Sequence, residues 1–371
     1  MATAKEMLEI AGSVEKAEKM ARDLIKEKGD NYLQDLQLLL SLQGKFDESL
    51  QTIKEILGKN PEDVRAKYNY GWFLARDGKL KQGFEHMNQG RMIETWGNKH
   101  IGTEKPIWDG KGEGQHVLIN FEAGIGDQLI FARFIKNVAL KGAKPIVCCS
   151  PELISIFSRM PECAAIVAHD EWQGVHHDSW VPSMALPIVL DLEYENLSGF
   201  PYITANEKYT KKFKQIIRGQ KLKIGIRWAG NPDFEHEQFR LFPKELMFEA
   251  VNNDTLDIYS LQNDVEDTPE HITNLAGFLQ SWEDTAGVIA NLDLVISSCT
   301  AVAHLAASMG KSTWVVPPIM PYWAWALEGN KSPWHNSVTL FRQEKFDNWE
   351  SPFVQIKERI ENVTTVKLRM R

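Results

Sequence analysis

Two hydrophobic rhythms divide the chain. Up to about residue 95, apolar side chains recur every three or four positions, the spacing of helices that bury one face. Further on, short apolar runs alternate with helical patterns, the order that builds parallel α/β sheets. Strands are predicted at 116–121, 145–149, 165–168 and 180–184, then at 223–228, 257–262, 292–296 and 313–316. Between them a helix carries Ile130, Phe131, Phe134 and Ile135, a lysine-rich helix runs near 208–218, and a capped helix covers 281–291. A further helix, 301–309, comes after small polar residues and ends at Gly310. A strand and a glycine turn begin each of two similar-sized stretches, 98–218 and 219–371, so two α/β halves facing a cleft are expected. The last helix is a candidate to pack back on the first of them.

The helical stretch repeats. Gly44-Lys45-Phe46 returns as Gly78-Lys79-Leu80, 34 residues later, and Leu36, Leu39, Leu50 and Ile53 match Tyr70, Phe73, Phe84 and Met87 in that register. Pro61 falls where the second helix of one unit should stop, and Ala17, Ala21 and Leu24 suggest a degenerate earlier unit. Residues 1–97 therefore resemble two tetratricopeptide repeats and a partial one. So short an array should dock on the α/β region C-terminal to it to bury its last face. It is open to two readings, recognition of a partner or acceptor, or a stability cap and self-association face.

Composition narrows the class. The chain has 371 residues, 43% of them hydrophobic and 25% charged, as in soluble globular proteins. A net charge of −8 argues against broad coating of DNA. No apolar run has the length of a membrane span, and the acidic, helical N-terminus does not read as a signal peptide. Cys148, Cys149, Cys163 and Cys299 lack metal-site spacing, so a reduced, cytoplasmic setting is expected. His176 and His177 stand beside Asp178, but no third ligand lies at a suitable spacing, and a solvated loop is the preferred reading. No metal is expected.

The candidate chemistry lies where strands end. The segment 292–318 reads as strand, turn, helix and strand, which aims free helix N–H groups at the crevice above the sheet. Thr300, Ala301 and, one turn on, His304 are placed to meet an anion there; the plainer alternative is a βαβ unit without ligand. Gly124 and Gly126 after the first strand allow a tight turn and close approach by a ligand. Asp127 is then either a helix cap or a general base for an acceptor hydroxyl. Arg227, at the end of a strand broken by the turn 229–233, suits a pyrophosphate, or a surface ion pair. Asn231 lies in that turn, and Gln262 closes a strand where a base or ribose could lie. Clustered tryptophans, Trp314, Trp323, Trp325, Trp334 and Trp349, are expected mostly in packing.

Six ordered motifs, 124–134, 224–232, 260–262, 293–306, 332–334 and 340–343, together resemble bacterial tetratricopeptide-repeat glycosyltransferases, similar to the heptosyltransferase and O-GlcNAc-transferase groups. The resemblance covers nearly the whole chain. It implies a GT-B fold, two Rossmann-like halves, with the first half on the acceptor side and the second on the donor side. It further implies Asp127 as base and Thr300, Ala301 and His304 at the donor diphosphate, with Arg227 and Gln262 lining the donor pocket. The sequence departs from the family pattern at Cys299, where an aspartate is usual, and at Ala324 between two tryptophans. His335-Asn336 and Arg240-Leu241 differ as well. The expected activity is metal-independent, inverting transfer from a nucleotide-diphosphate sugar, with no cofactor besides that co-substrate. The acceptor, a glycan, a protein or a modified nucleic acid, is left open. Two alternatives stand beside it, a catalytically inactive scaffold of the same fold and a nucleotide-sugar epimerase.

Overall fold

The computed structural model describes residues 3–93, 101–232, 237–265 and 267–369. The expected boundary at residue 97 and the turn residue Asp233 lie outside these. Six helices come first: α1 (Ala4–Ala11), α2 (Val14–Lys28), α3 (Leu33–Leu42), α4 (Phe46–Lys59), α5 (Val64–Arg76) and α6 (Leu80–Met87). Each packs on the next. The 34-residue echo is a repeated turn: Gly44 and Gly78 adopt left-handed φ of 72° and 83°. After them the N–H groups of Lys45 and Lys79 return to the carbonyls of Leu40 and Leu74, at 3.0 and 2.9 Å.

The first α/β half contains β1 (His116–Asn120), α7 (Ile125–Phe131), α8 (Phe134–Leu140), β2 (Lys144–Cys149), α9 (Pro151–Phe157), β3 (Ala165–Ala168) and β4 (Ser179–Pro182). Its four parallel strands run in the order β3-β2-β1-β4. After α10 (Leu186–Val189) and α11 (Glu207–Lys214) come β5 (Leu222–Arg227), α12 (Glu237–Arg240), α13 (Lys244–Ala250), β6 (Leu256–Ser260), β7 (Ile272–Asn274), α14 (Trp282–Ala290), β8 (Leu294–Ser298), α15 (Ala301–Ser308), β9 (Thr313–Val316), β10 (Val338–Leu340) and α16 (Glu350–Arg369). These strands form a parallel six-stranded sheet, β10-β9-β8-β5-β6-β7. The edge strands β7 and β10, three residues each, are too short to leave a sequence rhythm.

The chain end corrects one expectation. Among the described side chains of α16, Phe353, Ile356 and Ile360 join Phe242, Trp314 and Trp349 in the core of the second half rather than a face of the first. The apolar stripe of α16 meets the nearest uncovered face of its own sheet. The helical array does bury its last face. Phe84 lies 5.1 Å from Trp323 and 5.7 Å from Phe131, ring centre to ring centre. Trp72 donates its indole N–H to the Pro321 carbonyl at 2.9 Å, and Arg76 reaches the Ala326 carbonyl and Glu328. A single apolar cluster thus runs through the array, the first half and one face of the second. Among the described residues no helix is long and apolar enough to cross a membrane.

Candidate active site

Each sheet reverses its strand order at one place, between β1 and β4 in the first and between β5 and β8 in the second. Such switch points leave a crevice beyond the carboxyl ends of the strands. The loop leaving β1 carries Ala123 at a left-handed φ of 59°, and Gly124 then caps α7. Asp127, in the first turn of α7, folds its carboxylate back. Its Oδ2 accepts the Gly124 N–H at 3.1 Å, and its Oδ1 accepts the hydroxyl of Tyr322. Dense protein around the carboxyl raises its pKa above the usual aspartate range, and these two hydrogen bonds only partly offset that. Some of its surface still meets solvent. Of the two sequence readings of Asp127, the helix cap is the one this geometry displays.

From β8 the chain passes through Cys299 and Thr300 into α15. Thr300 takes the N-cap backbone conformation, but its hydroxyl pairs with Ser297 Oγ at 3.0 Å and does not cap the helix. The first-turn amides of α15 therefore lack the usual side-chain acceptor. The two helix starts meet. A Cβ added at Gly126 would lie 3.3 Å from His304 Cδ2 and 3.4 Å from Ala301 Cα, so glycine is what lets α7 come this close to α15. His304 is buried, stacked on Trp325 at 5.0 Å and edge-on to Tyr322 at 5.6 Å. Its Nδ1 makes no hydrogen bond. Burial, with Arg133 and Arg240 nearby, pushes its pKa down to about 3, so it is a neutral hydrogen-bonding group rather than a cation.

Other expected site residues serve the walls. Arg227 donates to the carbonyls of Ala229 and Leu261, at 2.8 and 3.0 Å, and to Asn263 at 2.8 Å. Gln262 is buried, accepting from the Ala229 N–H at 3.2 Å and donating to Asp264 at 2.6 Å. Both brace the turn on which Asn231 is exposed. Cys299 is buried, its sulfur accepting the Trp325 indole N–H at 3.2 Å. The fold brings in Tyr322, which sequence reasoning missed, and Arg240, which it noted only as a departure from the family pattern. Tyr322 comes from the loop after β9. Arg240 is held by Glu237, which also accepts the Gly230 N–H at 2.7 Å, and reaches over to the Cys299 carbonyl. Cavities of about 330 Å³ beside Arg22 and Glu48 and about 390 Å³ beside Arg218 and His271 both lie away from this cleft.

No protein-family model matches the chain, and a search of curated proteins returns no match. Among solved structures it is similar to a family 9 glycosyl transferase from Veillonella parvula, at 8% identity over 69% of this chain and 98% of that one, TM-score 0.49. The ADP-heptose lps heptosyltransferase II of E. coli gives 12%, 68%, 99% and 0.48 on the same measures. An O-GlcNAc transferase from Thermobaculum terrenum gives 13%, 92%, 56% and 0.30. The chain is similar to glycosyltransferases. At TM-scores below 0.5 none of them decides the chemistry of this cleft, which has to be argued from its own residues.

Proposed function

We propose that the chain is a GT-B glycosyltransferase that moves a sugar from a nucleotide-diphosphate donor to an acceptor hydroxyl, with inversion and without a metal. The observation that carries this is the meeting of Asp127's helix start with the uncapped N-terminus of α15. One supplies a carboxylate whose pKa burial has raised, and the other a bed of N–H groups for an anion. The acceptor O–H gives its proton to Asp127 as its oxygen attacks the anomeric carbon. The bond from that carbon to the diphosphate breaks, and the diphosphate leaves with the electron pair. The α15 amides and the guanidinium of Arg240 offset its growing charge, while neutral His304 offers a hydrogen bond.

At the present separation of Gly126 and Ala301 a diphosphate does not fit between them, so the halves must part to admit donor. The Tyr322 bond to Asp127 then acts as a resting latch. The N-terminal helices are read as tetratricopeptide repeats that present a partner or acceptor surface. The same closed contact favours a second reading, an inert scaffold whose cleft stays shut. Calorimetric titration with UDP, GDP and ADP separates them. At least one nucleotide should bind, and Thr300→Val with His304→Ala should weaken it about tenfold, a loss of about 1.4 kcal/mol. A wild-type protein that binds none of the three would favour the scaffold.

A further inference from the structure

At the far end of the first sheet from the cleft, a second group of polar side chains has no part in the proposed reaction. Strand β4 lies beside β1 with Val117 opposite Ser179, which sets His116 against Asp178. Asp178 is fixed there: its N–H donates to the His116 carbonyl at 2.9 Å, and its Oδ2 accepts the His116 N–H at 2.8 Å. The loop leading to β4 brings His176 to the same spot, its ring centre 5.9 Å from that of His116. His116 is the ligand that sequence spacing could not supply, because parallel strand pairing, not chain proximity, delivers it. His177, the neighbour in sequence, turns away and is buried, bonded to Thr103 and to the Val175 carbonyl.

We propose that His116, His176 and Asp178 bind a divalent transition-metal ion of the zinc type. One ligand atom from each lies within 4.8 Å of the others. His116 Nδ1 is 3.6 Å from Asp178 Oδ2, and His176 Nε2 is 3.5 Å from Asp178 Oδ1. Those separations are long for hydrogen bonds, which run at about 2.7–3.2 Å. Each is close to the spacing of about 3.3 Å between neighbouring ligands on a tetrahedral ion with bonds of about 2.0–2.1 Å. Because they use different oxygens of Asp178, closing on one ion requires the exposed His176 ring to swing toward the shared oxygen. Two imidazole nitrogens and a carboxylate oxygen suit zinc, cobalt or nickel; calcium and magnesium prefer all-oxygen shells. With three protein ligands, water completes the shell. The ion fastens the loop before β4 to the start of β1, at the end of the sheet opposite the cleft, so its role is to hold the fold and not to react.

The test uses the full chain, without an affinity tag and stripped by chelator. Cobalt(II) is followed by visible absorption and zinc(II) by calorimetry. The expected result is one equivalent bound with tetrahedral cobalt bands and a raised melting temperature. His116→Ala, His176→Ala and Asp178→Asn should each bind more weakly by about tenfold or more, while His271→Ala should bind as the parent does. Asp178→Asn also disturbs the pairing of β1, so His176→Ala, a change in an exposed side chain, is the deciding variant. The proposal is overturned if the parent shows no saturable uptake, or if His176→Ala binds as tightly as the parent.

Discussion

His304 is packed against Trp325 and near two guanidinium groups, and burial keeps it neutral down to about pH 3. In the unfolded chain the same imidazole would take up a proton near its ordinary pKa of about 6.5. A folded pKa below the unfolded one means that the unfolded state binds more protons in that window. Stability is therefore full above about pH 6.5 and is lost as pH falls toward 3, at up to about 1.4 kcal/mol per pH unit. His335, buried beside Arg133 and His304, is shifted in the same direction and adds to the slope, while Asp127, shifted upward, opposes it as it titrates. Urea unfolding of His304→Gln between pH 4 and 7 should show a shallower dependence than the parent; parallel curves would remove His304 as a source. At this scale the sequence was half legible. Asp127 and His304 could be picked out because each sits beside a strand end. Tyr322 could not, because it meets Asp127 from 195 positions away. Nor could the inward use of Arg227 and Gln262, since nothing in the order of residues tells whether a polar group faces ligand or the backbone of its own turn.

The helical array and the loop after β9 are coupled by direct contact. Trp72, 7% exposed, holds the Pro321 carbonyl next to Tyr322, and Trp323 packs on Phe84. The latch on Asp127 is thus set by elements at opposite ends of the sequence. Trp72→Ala should cost about 3–5 kcal/mol in urea unfolding, the range for deleting a buried indole. A loss below about 1 kcal/mol would mean that the array rests on the body without supporting it. Most strands were legible because a parallel strand buried on both faces is a run of apolar residues, as 313–316 and 145–149 show. The errors fell at ends and edges. Strand β8 continues through Ser297 and Ser298, whose backbones still pair with β5 and β9 although their side chains are polar, and short β7 and β10 left no pattern. The docking of α16 depended on which face lay nearest, which periodicity does not encode.

For the molecule as a whole, two parallel sheets meet at their switch points, closed on each other and tied to an N-terminal array. That plan was readable from two glycine turns and a 34-residue echo, while the closure was not, because it depends on how two surfaces fit. The central claim is that parting the halves places a sugar diphosphate between α15 and Asp127. It is tested most directly by incubating parent and Asp127→Asn with a panel of nucleotide sugars and a mixed acceptor extract, and following donor cleavage by mass spectrometry. The account predicts that the parent releases the nucleoside diphosphate from one donor class, and that Asp127→Asn binds this donor normally but turns it over about 10²–10⁴-fold more slowly. Equal turnover by parent and variant, or no donor bound and cleaved by the parent, would contradict it.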